Sequence, residues 1–290
     1  NHHRLHSSLE KNICSFLTEK GIIDILASSR SIIPPKELDI YIKDKSIAIE
    51  MNGLFWHSVK SIEDDTKENQ RYHLNKTELC EEKGIQLLHI MDTEWNEKRT
   101  QVESLILSKL ELNERLYARK CMVVDVLPKE GREFINRNPM QGSGIGGTYK
   151  GLKYNGDLVA IMQISKSRFD KNIDFELLRF CNKNYYNVIG GFSRLLKAFS
   201  LSGSLVSYAN RRWSNGKVYE KNGFSLVRNT PPNYWYWKDY GVLESRHKFQ
   251  KHKLRQFPSF DDKKTESQIM FEEGYNKFYD SGNLVYINNF

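Results

Sequence analysis

Two acids, Asp39 and Glu50, stand on either side of a short break at Asp44-Lys45, in a stretch rich in strand-forming residues. Tyr41, Ile47 and Ile49 are aromatic or β-branched types that favour strands. The pattern predicts strand, turn, strand, and then a bend at Asn52-Gly53 into Leu54-Phe55-Trp56-His57. Neighbouring strands place a carboxylate of one beside a carboxylate of the other, and two such charges repel or shift their pKa values. A divalent cation removes the conflict, and a hard oxygen pair suits Mg²⁺, with Mn²⁺ as its substitute. Such an ion keeps waters and can activate one against a phosphodiester. His57 would then act as general base, or as acid to the leaving oxygen. The plainer reading has Ile40, Ile42, Ile47 and Ile49 filling a core, with Asp39, Tyr41, Ala48 and Glu50 on the other face.

Four segments extend the pattern: Ser8-x-Glu10, Ile33-Pro34-Pro35-Lys36-Glu37-Leu38-Asp39, Ile49-Glu50-x-Asn52-Gly53-x-x-Trp56-His57, and His89-Ile90-x-Asp92-x-Glu94-Trp95. Over roughly the first 115 residues they resemble the nuclease core of phage-type homing endonucleases of the very-short-patch-repair-like lineage, in the PD-(D/E)xK superfamily. The resemblance implies a metal-dependent, site-specific DNA endonuclease, with Asp39 and Glu50 on the metal and Asn52 and Glu10 in support. Two departures stand out. The superfamily pattern has Lys where this chain has Asn52, and the repair enzymes have His there and lack the acid at Glu50.

The chain has 290 residues, enough for about two domains. Hydrophobic residues make up 39% of it, and 15 Tyr and 15 Phe argue for folded cores over disorder. No apolar run reaches the length of a membrane helix, and no N-terminal apolar signal is present. Cys14, Cys80, Cys121 and Cys181 form no CxxC pair, which argues against a zinc ribbon and fits a reducing cytoplasm. No chemistry is assigned to His2, His3 and His6. The net charge of +8 is uneven. Residues 1–118 hold 16 Lys/Arg against 20 Asp/Glu, and residues 119–290 hold 28 against 16. An acidic half that cuts and a basic half that grips double-stranded DNA follow from that division.

The elements that must position these residues are read from periodicity. Residues 9–20 repeat Leu9, Ile13, Phe16 and Leu17 at helical spacing, with Ser7 or Ser8 as cap and Gly21 as stop. Glu10 on this helix reads either as an approach to the metal or as an acid at a helix start. Residues 22–30 read as a short strand before Pro34-Pro35. Residues 72–83 read as a helix with His73, Lys76, Thr77 and Cys80 on one face. His73 and Lys76 could enter the site, Lys76 supplying the charge missing at Asn52, or the face could be solvated. Residues 85–91 read as a buried strand and 102–116 as a helix, so the first domain is α/β.

The second half reads as strands at 121–126, 149–154, 158–165, 174–181, 205–209 and 234–237. Helices are expected at 128–138, 193–199 and 216–221, and Asn155-Gly156 as a hairpin turn. The Gly-rich run 142–147 reads as a flexible connection. Gly190-Gly191-x-x-x-Leu195-Leu196 and Tyr219-Glu220-Lys221-Asn222-Gly223-Phe224, preceded by Asn210, resemble the N-acetyltransferase-like fold over roughly residues 121–240. Asn187-x-x-Gly190-Gly191-Phe192 departs from the acyl-CoA pyrophosphate loop. Phe192 is expected to crowd the cofactor, so no acetyl-CoA is expected. Tyr234-Trp235-Tyr236-Trp237 reads as a core strand. Arg211 and Arg212 beside Trp213 read as phosphate contacts, and Arg246, Lys248, Lys251, Lys253 and Arg255 as a DNA-binding arm or a solvated basic linker. A helix at 265–278 and a strand at 284–287 close the chain.

The sequence therefore predicts an α/β (α+β) protein in three parts. Residues 1–118 form a restriction-endonuclease-like domain with a mixed sheet flanked by helices, 119–243 an N-acetyltransferase-like domain, and 244–290 a basic tail. The expected function is Mg²⁺-dependent endonuclease action on double-stranded DNA, as a monomer or homodimer, in the cytoplasm. The alternatives are an N-acetyltransferase-like enzyme or a catalytically inactive DNA-binding protein.

Overall fold

The computed structural model describes residues 8–239 and 243–290. His2, His3, His6 and the alternative cap Ser7 lie outside them. The architecture is mixed α/β, with sheets flanked by helices. No helix among the described residues is long and apolar enough to cross a membrane.

In chain order the elements begin α1 (Ser8–Glu19), β1 (Ile25–Ile33), β2 (Lys36–Ile42), β3 (Ile47–Asn52), α2 (Leu54–His57), α3 (Lys67–Gln70), α4 (Tyr72–Glu82), β4 (Gln86–Met91), α5 (Asp92–Glu97) and α6 (Arg99–Lys109). Then follow β5 (Glu114–Tyr117), β6 (Met122–Val126), α7 (Pro128–Arg137), β7 (Thr148–Tyr154), β8 (Asp157–Lys166), β9 (Phe175–Asn182), β10 (Tyr186–Ile189), α8 (Gly191–Ala198) and β11 (Ser204–Asn210). The last are α9 (Lys217–Glu220), β12 (Ser225–Asn229), β13 (Tyr234–Trp237), β14 (Glu244–Ser245), α10 (Glu266–Glu272), β15 (Asn276–Tyr279) and β16 (Asn283–Asn289).

The chain divides into two compact units that are not sequential. Of the described residues, unit 1 holds 8–96, 211–213, 231–239 and 243–282, and unit 2 holds 97–210, 214–230 and 283–290. The segment 244–282, expected as part of a separate tail, belongs to unit 1, and 97–118 belongs to unit 2.

Unit 1 carries the four-stranded sheet β1-β2-β3-β4, antiparallel except for the parallel pair β3–β4. Both faces of β3 are buried, because all six of its residues are. Ile33, Leu38, Tyr41, Ala48 and Leu87 pack with Cys80 of α4. Residues 231–282 build a small module on the sheet β14-β13-β15, with Tyr236, Phe249, Leu254, Ile269 and Met270 as its core. Part of the helix expected at 265–278 is a strand. A Thr265 capping box starts α10, which ends at Glu272, and Asn276–Tyr279 pairs with β13.

Unit 2 is built on a seven-stranded sheet in the order β12-β16-β11-β9-β8-β7-β6, with the small pair β10-β5 beside it. Asn155 and Gly156 both take positive φ at the β7–β8 turn, which the right-handed twist of a two-residue hairpin requires. The helix expected at 102–116 stops at Lys109, and Glu114–Tyr117 instead pairs in parallel with β10. The Gly-rich run is held by a buried side chain. Gln163 accepts from Gly144 N–H and donates to the Gly144 and Gly146 carbonyls.

Candidate functional site

The β2–β3 register pairs Ile40 with Ile49, and its continuation sets Asp39 across from Glu50. Helix α4 turns His73, Lys76, Thr77 and Cys80 to the interior, so this face is not solvated. Lys76 Nζ donates to Glu50 Oε1, and both side chains are almost wholly buried. A cavity of about 660 Å³ opens here, and Glu10, Asp39, Glu50, His57 and Lys76 line it. Trp56, 81% exposed, stands in its wall.

Burial shapes the titration of this cluster. It pushes the Glu50 carboxyl up to about 8, helped by the Asp39 charge and opposed by the Lys76 ammonium. Asp39 is pushed up to about 6 by burial, against Lys76 and against the Met51 N–H that donates to its Oδ2 at 2.7 Å. Burial, with Lys76 adding, takes His57 down to about 4, so its imidazole is neutral at pH 7 and a weaker base than a free histidine. Proton acceptors and a buried ammonium–carboxyl pair thus share one cavity, an arrangement suited to acid–base work.

Two predicted site residues point elsewhere. Asn52 lies 3.2 Å from His89 Nδ1 through its Nδ2, within the interior. His73 is also interior, its ring 5.6 Å from that of His57 and 5.4 Å from that of His89, and neither of its nitrogens has a hydrogen-bond partner among the described residues. Lys36, Tyr72 and Asp92 also line the cavity. Lys36 and Asp92 stand in the segments that carry the sequence resemblance, without a role assigned to them; Tyr72 had no signal beyond opening a helix.

The predicted phosphate contacts Arg211 and Arg212 are corrected. They are 3% and 5% exposed, and their guanidiniums pair with Glu81 and Glu94. Arg212 also donates to the His89 carbonyl. Their charge is compensated inside the fold and unavailable to a phosphate. In the basic segment Lys248 pairs with Glu244, Lys251 donates to the Asp262 carbonyl and Lys253 to the His247 carbonyl. Arg246 lies over the Tyr234 ring, and Arg255 is exposed. The segment is a folded part of the module, not a free arm.

Unit 2 holds a second arrangement. Strands β9 and β11 run parallel but pair only from Phe175–Leu205 to Leu177–Ser207. Beyond Leu177 no further pairs between them are formed among the described residues. Tyr219 Oη lies 3.1 Å from Ser207 Oγ, where the pairing ends. Burial pushes the Tyr219 phenol up, so it keeps its proton. Helix α8 begins at Gly190, whose φ of 77° suits glycine. Phe192 is 4% exposed and packs on Phe180, Tyr219 and Phe224. Its ring belongs to the core and does not crowd the start of α8, so the ground for excluding acetyl-CoA is removed.

No protein-family model and no curated protein matches the chain. It is similar to a GNAT family acetyltransferase from Elizabethkingia anophelis with acetyl-CoA bound, at 12% identity and a TM-score of 0.32, over 59% of this chain and 99% of that one. An IAA acetyltransferase from Bacillus cereus gives 13% identity and a TM-score of 0.29, over 59% and 99%. An N-acetylglutamate synthase from Neisseria gonorrhoeae, complexed with coenzyme A and N-acetyl-glutamate, gives 12% and 0.31, over 91% of this chain and 54% of that one. These are acetyltransferases, not Mg²⁺-dependent nucleases. The endonuclease expectation is corrected accordingly, together with its double-stranded DNA partner and the exclusion of acetyl-CoA. The side chains add a physical reason. The positive charge expected from a metal beside Glu50 is supplied by Lys76, and no group of three or more His, Cys, Asp or Glu among the described residues is arranged to hold a metal ion.

Proposed function

We propose that the chain is an N-acetyltransferase-like enzyme and that unit 2 holds acetyl-CoA. The end of the β9–β11 pairing carries this reading, since strands that stop pairing leave backbone donors and acceptors for an amide-bearing ligand. Helix α8 follows β10, the short strand after β9, and its first N–H groups and dipole favour phosphate. In the reaction an acceptor amine attacks the thioester carbonyl, the carbon–sulfur bond breaks, and the amine's proton balances the departing thiolate. Tyr219, protonated and close to the point where the strand pairing ends, passes its proton to the thiolate and is restored by the proton the amine loses.

Calorimetric titration with acetyl-CoA tests the proposal, with Ser193→Glu as the informative variant. A carboxylate in the first turn of α8 favours the helix yet repels a phosphate, so lost binding is separable from lost fold. Saturable binding weakened roughly fivefold or more by the variant supports the reading. A wild-type chain that takes up no acetyl-CoA at millimolar concentration overturns it.

A second reading concerns unit 1 and rests on Glu50 Oε2, a buried carboxyl oxygen with no side-chain hydrogen-bond partner among the described residues. Asp39 and Glu50 are the residues that would hold Mg²⁺ or Mn²⁺, the ion taking the place of the Lys76 ammonium and of the proton that burial keeps on Glu50. Titration with Mn²⁺ read by electron paramagnetic resonance should saturate, and Asp39→Asn should remove the signal. Binding indifferent to Asp39→Asn refutes it.

A further inference from the structure

A second cavity, of about 470 Å³, lies within unit 2 where β8 ends and β9 begins. Its walls are apolar: Ile164, Phe175, Phe199 and Leu201, with Ile145 contributed by the Gly-rich run. Ile145 is 87% exposed, and Phe169, next in sequence to the lining residue Arg168, is 69% exposed. Large side chains left in water beside an apolar hollow mark a surface that gains by being covered. Their positions are fixed by neighbouring structure. Gln163 holds the Gly-rich run, and a Cβ at Gly147 would collide with the Ile164 carbonyl, so the backbone closes tightly there.

The charges at the cavity have one sign. Lys166 and Arg168 line it, and no acid does. Arg168 is held by a bidentate pair with buried Glu176 and lies over the Phe169 ring. Its position is set, but its charge is largely compensated. Lys166 is exposed and, among the described residues, has no ion pair, so it supplies positive charge at the rim. Several hundred Å³ of apolar hollow is the range of a small-molecule site, and a single cation beside it selects the sign of the ligand's polar end.

We propose that this cavity binds an amphiphile with an apolar body and a carboxylate head, of the class of medium-chain fatty acids, its chain against Phe175, Phe199 and Leu201 and its head at Lys166. The proposal goes beyond the acetyl-transfer reading and does not depend on it, because none of its residues lies where the strand pairing ends after Leu177 or at the start of α8.

The test is calorimetric titration of the full chain with octanoate below its micellar range, with octyltrimethylammonium as the opposite-charge control. Octanoate should bind at one site per chain and the cation markedly less. Lys166→Glu should weaken octanoate roughly two- to fivefold, the worth of one exposed ion pair. Ile145→Asp, at a position too exposed to matter for folding, should weaken it by about tenfold through lost apolar contact and added repulsion. Absence of saturable octanoate binding overturns the proposal. So does equal binding of the cationic amphiphile, or an affinity that neither variant changes. Acetyl-CoA binding is measured on the same samples. Its loss with octanoate binding intact would count against the acetyl-transfer reading alone, and the reverse against this one alone.

Discussion

Raising the pH from 6.5 to 8 should destabilise unit 1, and Glu50→Gln should abolish the effect. Glu50 is 2% exposed, and burial raises its carboxyl from the usual 4.5 to about 8. The native chain therefore holds this proton through a range in which the unfolded chain has released it. A folded-state pKa above the unfolded one gives stability that is complete below the unfolded pKa and is lost as pH rises through the folded one. Asp39, raised to about 6, acts in the same direction but finishes earlier. His57, lowered to about 4, has the opposite sign: its contribution is lost as pH falls from about 6.5 towards 4. Between pH 6.5 and 8 the contribution of Glu50 dominates, and the loss over that window is on the order of 1 kcal/mol. Native-state amide exchange of β3, whose residues are all buried, reads this opening free energy in unit 1 once the intrinsic pH dependence is removed. A chelator keeps divalent ions from the carboxylates. Stability that rises over the window, or a wild-type slope retained in Glu50→Gln, would refute the reasoning.

Arg212→Ala should cost unit 1 about 3–5 kcal/mol in thermal or urea denaturation, because it strands Glu94 without its buried guanidinium partner. Arg212→Lys should lose less, keeping the charge but not the second bond to the His89 carbonyl. Gly216→Ala should destabilise unit 2 by about 1–3 kcal/mol in urea titration. The residue sits at φ 76°, and an added Cβ would run into the Tyr286 phenol, which bonds Glu220 at 2.8 Å.

The elements legible in the sequence are those whose determinants are local. Alternation around Asp44-Lys45 gave the β2–β3 hairpin, Asn155-Gly156 gave the β7–β8 turn, and helical spacing put His73, Lys76, Thr77 and Cys80 on one face. The elements missed are held by distant partners. β5 is a strand because β10 lies beside it, and β15 because β13 does; neither segment excludes a helix by pattern alone. The nuclease expectation failed in a related way. A pair of acids on adjacent strands has the same spacing whether a metal or a lysine compensates it, and Phe192 reads as an obstruction until its ring is seen in the core.

The sequence by itself determined the α/β character, the uneven charge and the face of α4, since these depend on residue type and short-range period. Tertiary structure alone decided which charges are free and which are spent. Lys76 meets Glu50 across 26 positions, and Arg212 meets Glu94 across 118. Desolvation then fixes the protonation state of each group, and it acts through space on whatever the fold brings near, with no regard for distance along the chain.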